Sequence, residues 1–276
     1  MALIGAGALI GDALAVAPQH VVAEDVTFHI ERLPAAFDGF KITQLSDIHY
    51  GFTIGEHYLH RAIEISNAYA PDLVVVTGDF VNAPTIGSKK HKAALANDAD
   101  PCGKELSRLR SRLGTLACMG NHDAYTDTAT VMKLLEKWNI PTLHNRSVSV
   151  ENGAERIWIS GVGDVLHGEA KLDAAVSGLP PDEVVVLLAH EPDYADSVAR
   201  HPHRIDVQLS GHSHGGQVRL PFIGATVLPP MAKKYPQGWR KIGDLQLYTN
   251  RGLGTTQLPV RFLCPPEVTR IVLRRK

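Results

Sequence analysis

The order of apolar runs in this 276-residue chain predicts one α/β domain, a four-layer αββα sandwich of two mixed sheets with helices outside. Three observations carry that expectation. Strand-like and helix-like segments alternate through the first half of the chain. The last third is mostly strand-like. Several runs, such as Leu73–Val76 and Val184–Leu188, are continuously apolar, as suits strands buried on both faces. The length is compatible with a single core, and 44% hydrophobic against 21% charged residues marks a folded globular chain.

The elements follow in order. Glu24–Ile30 alternates like a strand, and Phe40–Leu45 is a second strand that runs straight into Ser46-Asp47. Glu56–Ala70 has helical spacing through Leu59, Ile63 and Ile65. Leu73–Val76 ends at Thr77-Gly78-Asp79. Residues 81–102, punctuated by Pro84, Gly87 and Pro101, read as an irregular surface loop, and Lys104–Leu113 as a helix. Leu116–Met119 is a strand ending in Gly120-Asn121-His122-Asp123, and Thr130–Trp138 a helix. Strands are expected at Val148–Val150 and Ile157–Val162, and a helix at Ala170–Val176. Val184–Leu188 is a strand ending in Ala189-His190, and Asp193–Arg200 a helix with Asp193 near its N-cap. Ile205–Leu209 is a strand ending in Ser210-Gly211-His212-Ser213-His214. Further strands are expected near Val218, at Leu245–Tyr248 and at Val268–Leu273.

Bulk properties exclude several classes. A net charge of -1 gives no electrostatic case for nucleic acid as a partner. Cys102, Cys118 and Cys264 form no zinc or redox motif and no disulfide framework. No obligate protein partner is evident. Residues 1–23 form an apolar segment ahead of a domain at 24–276. Ala2–Ala17 is too short to span a bilayer, which takes about 20 residues, and no Lys or Arg precedes it. Three readings stay open: the tail of a membrane anchor, a weak signal sequence, and a strap packed on the domain.

Five segments share one design, in which an apolar strand ends and a Gly, Asp, Asn or His cluster follows at once. They are Asp47-Ile48-His49, Gly78-Asp79, Gly120-Asn121-His122-Asp123, His190, and Gly211-His212-Ser213-His214. Strand ends in open α/β sheets converge on one edge. Carboxylate, amide oxygen and imidazole without thiolate suit manganese, iron or zinc. A carboxylate can also bridge two metals about 3.5–4 Å apart, an arrangement that clamps phosphoryl oxygens.

In this order the segments resemble the calcineurin-like metallophosphoesterase superfamily, whose pattern is D-x-H, G-D-x-x-D, G-N-H-D/E, a lone H, and G-H-x-H. The resemblance spans about residues 40–215. It implies two divalent metal ions. Asp47, His49 and His214 would bind one, Asn121, His190 and His212 the other, and Asp79 both. His122 would protonate the leaving oxygen, with Asp123 orienting it. Asn82 stands where the family has a second acidic residue, which puts hydrogen bonding around the ligands in question. The flanks, including Gly215-Gly216-Gln217 and Arg251-Gly252-Leu253-Gly254, are similar to the bacterial YaeI-like branch. That likeness implies a phosphodiester or pyrophosphate substrate such as UDP-2,3-diacylglucosamine, a lipid A precursor. It also implies a bacterial protein, membrane-associated or cytoplasmic. The competing expectations are a broad phosphomonoesterase or phosphodiesterase on soluble nucleotides and a non-catalytic scaffold on the same fold.

Other residues carry weaker expectations. Arg251 is a candidate grip on a substrate phosphate. His167 is a candidate for the pocket wall. His57 and His60 read as a solvated helix face, and His201 and His203 as surface residues. A membrane-facing rim is expected from residues 81–102 and 221–240, with Met231, Tyr235 and Trp239 as its apolar contacts.

Overall fold

A computed structural model of the chain describes residues 20–51, 54–83 and 88–276. The expectations for residues 1–19 lie outside the described residues. Val21 packs in the core, and Val22 and Ala23 already belong to the first strand.

In chain order the strands and helices are β1 (Val22–Ile30), β2 (Lys41–Leu45), α1 (Glu56–Tyr69), β3 (Leu73–Thr77), α2 (Lys89–Ala96), α3 (Ala99–Leu106), β4 (Thr115–Cys118) and α4 (Asn121–Glu136). There follow β5 (Arg146–Asn152), β6 (Glu155–Gly161), α5 (Leu172–Ala175), β7 (Val185–Leu188), α6 (Ala195–Val198) and β8 (Val207–Ser210). A short hairpin, β9 (Arg219–Leu220) and β10 (Gly224–Ala225), precedes β11 (Gly238–Ile242), β12 (Leu245–Thr249) and β13 (Glu267–Arg275).

Two mixed sheets result, ordered β1-β13-β2-β3-β4 and β11-β12-β8-β7-β6-β5. In the first, β13 runs parallel to β1 and antiparallel to β2, while β2, β3 and β4 are parallel. In the second, β12, β8, β7 and β6 are parallel, with antiparallel β11 and β5 on the edges. Side-chain alternation divides the strands between layers. Leu73 and Val75 of β3 join Val184, Val186 and Leu188 in the core between the sheets. Val76 faces outward to Leu59, Ile63, Leu106 and Leu135 of the helices, and Val185 and Leu187 face Leu172, Ala195 and Val198 on the opposite side. The four layers are therefore helix, sheet, sheet, helix.

Two expectations fail locally. Much of the loop at 81–102 is helical: Ser88 caps α2 through the His91 N–H, and α3 begins at Ala99. Pro101 is tolerated because it is the third residue of α3, where a helix N–H has no carbonyl partner. The helix expected at 104–113 accordingly ends at Leu106. Asp193 also does not cap α6. Its carboxylate accepts the N–H groups of Lys233, Lys234 and Tyr235 and pins that loop.

The loop after β12 is held by one buried cation. Arg261 is fully buried and donates to the carbonyls of Arg251, Gly252, Gly254 and Cys264. Replacing it strands several acceptors, each costing about 1–3 kcal/mol. Arg261→Met should therefore lower unfolding stability by at least about 3 kcal/mol in urea titration. A loss under about 1 kcal/mol, inside the range of ordinary surface changes, contradicts that role.

Candidate metal centre

The C-terminal ends of β2, β3 and β4 meet those of β7 and β8 at one edge of the sandwich. Gln44 joins the two sheets there, donating to Thr77 Oγ1 (3.0 Å) and to the Ser210 carbonyl of β8 (2.9 Å). Beyond this tie all the strand-end ligands expected from sequence converge. Asp47, His49, Asp79 and His214 form one group, and Asp79, His190 and His212 another, the ligand atoms of each lying within 4.8 Å of one another. His49 Nε2 lies 3.0 Å from His214 Nε2, His214 Nε2 lies 3.3 Å from Asp47 Oδ1, and His190 Nε2 lies 3.2 Å from Asp79 Oδ2. Asp79 is the shared member.

Three of the four histidines are oriented by their other nitrogen. His190 donates from Nδ1 to the Thr77 carbonyl (2.6 Å), His214 from Nδ1 to Gly254 (3.2 Å), and His212 from Nε2 to Pro230 (2.9 Å). In the neutral rings this leaves a lone pair directed at the group, the usual arrangement of a metal-ligating imidazole. Asn121 Oδ1 and His190 Nε2 are buried and take no hydrogen bond. Buried orphan acceptors are rare and need an explanation, and a cation supplies one. The donor set thus fits divalent metal.

The electrostatics agree. Burial pushes the Asp47 carboxyl up to about 6. Burial would also raise Asp79, but His190, His122 and His49 hold it well below the usual carboxylate range. Burial presses His49 down to about 3, His212 to about 4, and His214 well below normal. His190 opposes its burial through the Asp79 and Asp47 charges and is driven up. Among the described residues no Lys or Arg pairs with Asp47 or Asp79; only histidines face them.

The backbone is bent to make this possible. Asp47, His49, Asp79, His212 and His214 all have positive φ, between 49° and 67°. Such residues are uncommon outside glycine and cluster at functional sites. Neighbouring glycines leave the room. A Cβ on Gly211 would collide with Ser46 Oγ and Asp47 Oδ2, and Gly78, at φ 88°, would strike the Gly120 backbone.

His122 lies on the wall of a cavity of about 730 Å³ that also exposes Asp79, Asn121, His212 and His214. Its Nδ1 accepts the Ala83 N–H at 2.9 Å. The ring therefore carries its proton on Nε2. Protonating Nδ1 as well would set two donors face to face, and burial further lowers the imidazole. The expected orienting role of Asp123 is not what its side chain does. Asp123 makes no hydrogen bond to the His122 ring; it accepts the N–H groups of Asp79 (2.9 Å), Phe80 (2.9 Å), Val81 (3.2 Å) and Gly120 (2.9 Å). It holds the Asp79 loop instead, and burial, with the Asp79 charge, raises it to about 7.

Arg251 is also engaged elsewhere. Its guanidinium pairs with Glu267 (2.5 Å) and Glu24 (2.9 Å) and lines a separate cleft between β1 and β11. Trp239 faces that second cleft, while Tyr235 is buried with its hydroxyl on Asp196, so neither lines the cavity of the metal cluster. Asn82 and His167 do line it. His167 Nδ1 bonds Asp164 at 2.6 Å; burial, with Asp164 nearby, raises the carboxyl of Glu191, the residue after His190, well above normal. His57 is exposed, and His60 contacts Arg108 and Glu105, away from the cluster. Sequence reading missed the Asp164–Glu191 pair and Tyr125, another wall residue, which bear no motif.

Fold and donor set together define a metal-dependent hydrolase of phosphoesters. The chain belongs to the calcineurin-like phosphoesterase family, which matches residues 40–216. It is 35% identical to YkuE of Bacillus subtilis, an uncharacterised metallophosphoesterase, over 98% of this chain and 91% of that one. It is 30% identical to the phosphodiesterase YaeI of Escherichia coli, over 85% of this chain and 82% of that one. A transmembrane protein with a metallophosphoesterase domain from Danio rerio is 30% identical over 91% of this chain, which spans 57% of that relative. Among solved structures, the NAD nucleotidase of Haemophilus influenzae shares the fold at TM-score 0.50 and 14% identity, over 78% of this chain and 45% of that one. No described helix is long and apolar enough to cross a membrane.

Because Asp123 fixes the Asp79 loop, Asp123→Asn should act on metal. An amide offers one acceptor oxygen where four N–H groups now converge. Metal affinity should fall about 10–100-fold, the usual cost of losing support around a ligand. Titration with metal followed by calorimetry checks this; unchanged affinity with a slower rate would return Asp123 to the orienting role.

Proposed function

We propose that the chain hydrolyses a phosphodiester or pyrophosphate bond with two divalent cations, of manganese, iron or zinc. Asp47, His49 and His214 would hold one, Asn121, His190 and His212 the other, and Asp79 would be shared between them. The carrying observation is the division of the donors into two groups that share Asp79. Bound cations supply Lewis-acid neutralisation of phosphoryl charge and lower the pKa of water enough for attack near neutral pH.

The remaining work falls to residues of the cavity. With Nδ1 occupied by the Ala83 N–H, His122 donates from Nε2–H to the oxygen that gains charge as the bond breaks. It acts as a fixed donor rather than as an imidazolium acid. His167, held by Asp164, and Asn82 line the same cavity as His122 and position the rest of the substrate there. Val227, Leu228 and Leu258 give the cavity an apolar side. This supports a substrate that carries acyl chains, of the kind UDP-2,3-diacylglucosamine represents, handled at a membrane surface. Hydrolysis of soluble nucleotides is the second reading, and the apolar side argues against it. A scaffold without catalysis is disfavoured because the complete ligand set and His122 are assembled.

Asp79→Ala should abolish turnover of bis-(p-nitrophenyl) phosphate and bring bound metal well below two per chain; two metals with normal turnover sink the assignment. His122→Ala should keep its metal but lose about 10²–10³ in kcat, as for one preorganised donor. The loss should be smallest for p-nitrophenolate, a leaving group that needs least stabilisation. Metal loss comparable to that of His190→Ala would show His122 to be a ligand. At equal concentration UDP-diacylglucosamine should be cleaved faster than UDP-glucose, and equal rates favour the soluble reading.

A further inference from the structure

The exposed apolar surface is concentrated in one stretch of chain. Phe222 is 110% exposed and Ile223 73%, at the tip of the β9–β10 hairpin; Val227 is 76% exposed and Leu258 65%. Outside 220–263, the exposed large apolar residues among those described are Leu113 and Leu166, at 37% and 39%. Phe222 has φ 67°, a strained backbone for an aromatic residue, and the ring gains no packing in return. Solvent exposure of this kind marks an interaction site.

The same stretch is cationic. From Gly215 to Pro266 the chain carries Arg219, Lys233, Lys234, Arg240, Lys241, Arg251 and Arg261, against Asp244 as the sole acid. Lys234, Arg251 and Arg261 are engaged with the fold. Arg219, Lys233, Arg240 and Lys241 make no ion pair among the described residues. The imbalance is local, since the whole chain is at -1. The hairpin also stands beside the cavity, since Val218, Thr226 and Val227 form its wall.

We propose that the Leu220–Ile223 hairpin tip, with Val227 and Leu258, inserts into the interfacial layer of an anionic lipid bilayer, with Arg219 at its base against the headgroups. Apolar tip and basic flank are the two signals that stable peripheral binding takes. Val227 and Leu258 belong to both the inserted face and the cavity wall, so docking sets the cavity mouth on the headgroup plane. Delivery of a lipid-borne phosphoester rests on the hydrolase reading above; docking does not.

The test uses the full chain and vesicles of phosphatidylcholine alone or with phosphatidylglycerol at 7:3. Wild type should sediment with the anionic vesicles, at least about tenfold better than with neutral ones at low salt. Phe222→Asp with Ile223→Asp should lose at least about tenfold in that binding. It should cleave bis-(p-nitrophenyl) phosphate within about twofold of wild type. Phe222→Trp should gain fluorescence quenching by brominated lipid beyond that of wild type. Undiminished binding of the double variant, or no added quenching, overturns the proposal. So does a wild-type dimer that the double variant dissolves, which would make the face a contact between copies. Absence of turnover in wild type, with vesicle binding intact, would instead indict the hydrolase reading.

Discussion

Two carboxylates, Asp47 and Asp79, are buried together, and among the described residues no lysine or arginine forms an ion pair with either. Burying anions is expensive unless cations and hydrogen bonds compensate. The surrounding structure is organised to compensate: four imidazoles face the pair, and the His212 N–H donates to Asp47 while the His122 N–H donates to Asp79. A polar cluster of this density inside a sandwich calls for positive charge: the Asp79 and Asp47 charges drive His190 up, while burial presses His49, His212 and His214 down and leaves the remaining charge for a cation to supply.

This constraint explains features that otherwise look unrelated. Left-handed backbone at five candidate ligands turns each chain sharply off its strand, so side chains from both sheets aim at one volume. Glycines stand where any Cβ would enter that volume. Carbonyls of Thr77 at the end of β3 and of Pro230 and Gly254 in two loops fix the ring orientations. Arg261 in turn fixes the loop that presents Gly254. The candidate metal centre is thus held largely through backbone groups.

That reliance decides what could be read from sequence. Runs such as Leu73–Val76 and Val184–Leu188 announce buried strands because only doubly covered strands can be apolar throughout. Ligand segments are legible because strand ends must carry them in order. Contacts made by backbone N–H groups leave no trace in residue identity. Ala83 on His122 and the four donors to Asp123 could only be seen in the fold, and they changed both roles. Arg251 was misread because an arginine beside glycines suits a phosphate as well as it suits the Glu24 and Glu267 carboxylates that occupy it. Residues 88–106 were obscured by Pro101, whose place in the first turn of α3 is decided by neighbours. β11 has two large apolar residues, Trp239 and Ile242, as an edge strand needs little else.

The position of β13 bears on how the protein reaches this state. It lies between β1 and β2, and its Arg270 pairs with Asp25 across 245 positions of sequence. Pairings of that separation form late, because a long loop must close first. Until they form, β2 is an open edge beside β3 and can pair with another chain. The strand that launches Asp47 and His49 is therefore the last to gain its second neighbour. Docking of β13 both completes the sheet that carries Asp47 and covers its open edge, so conditions that slow β13 docking should divert chains to aggregates.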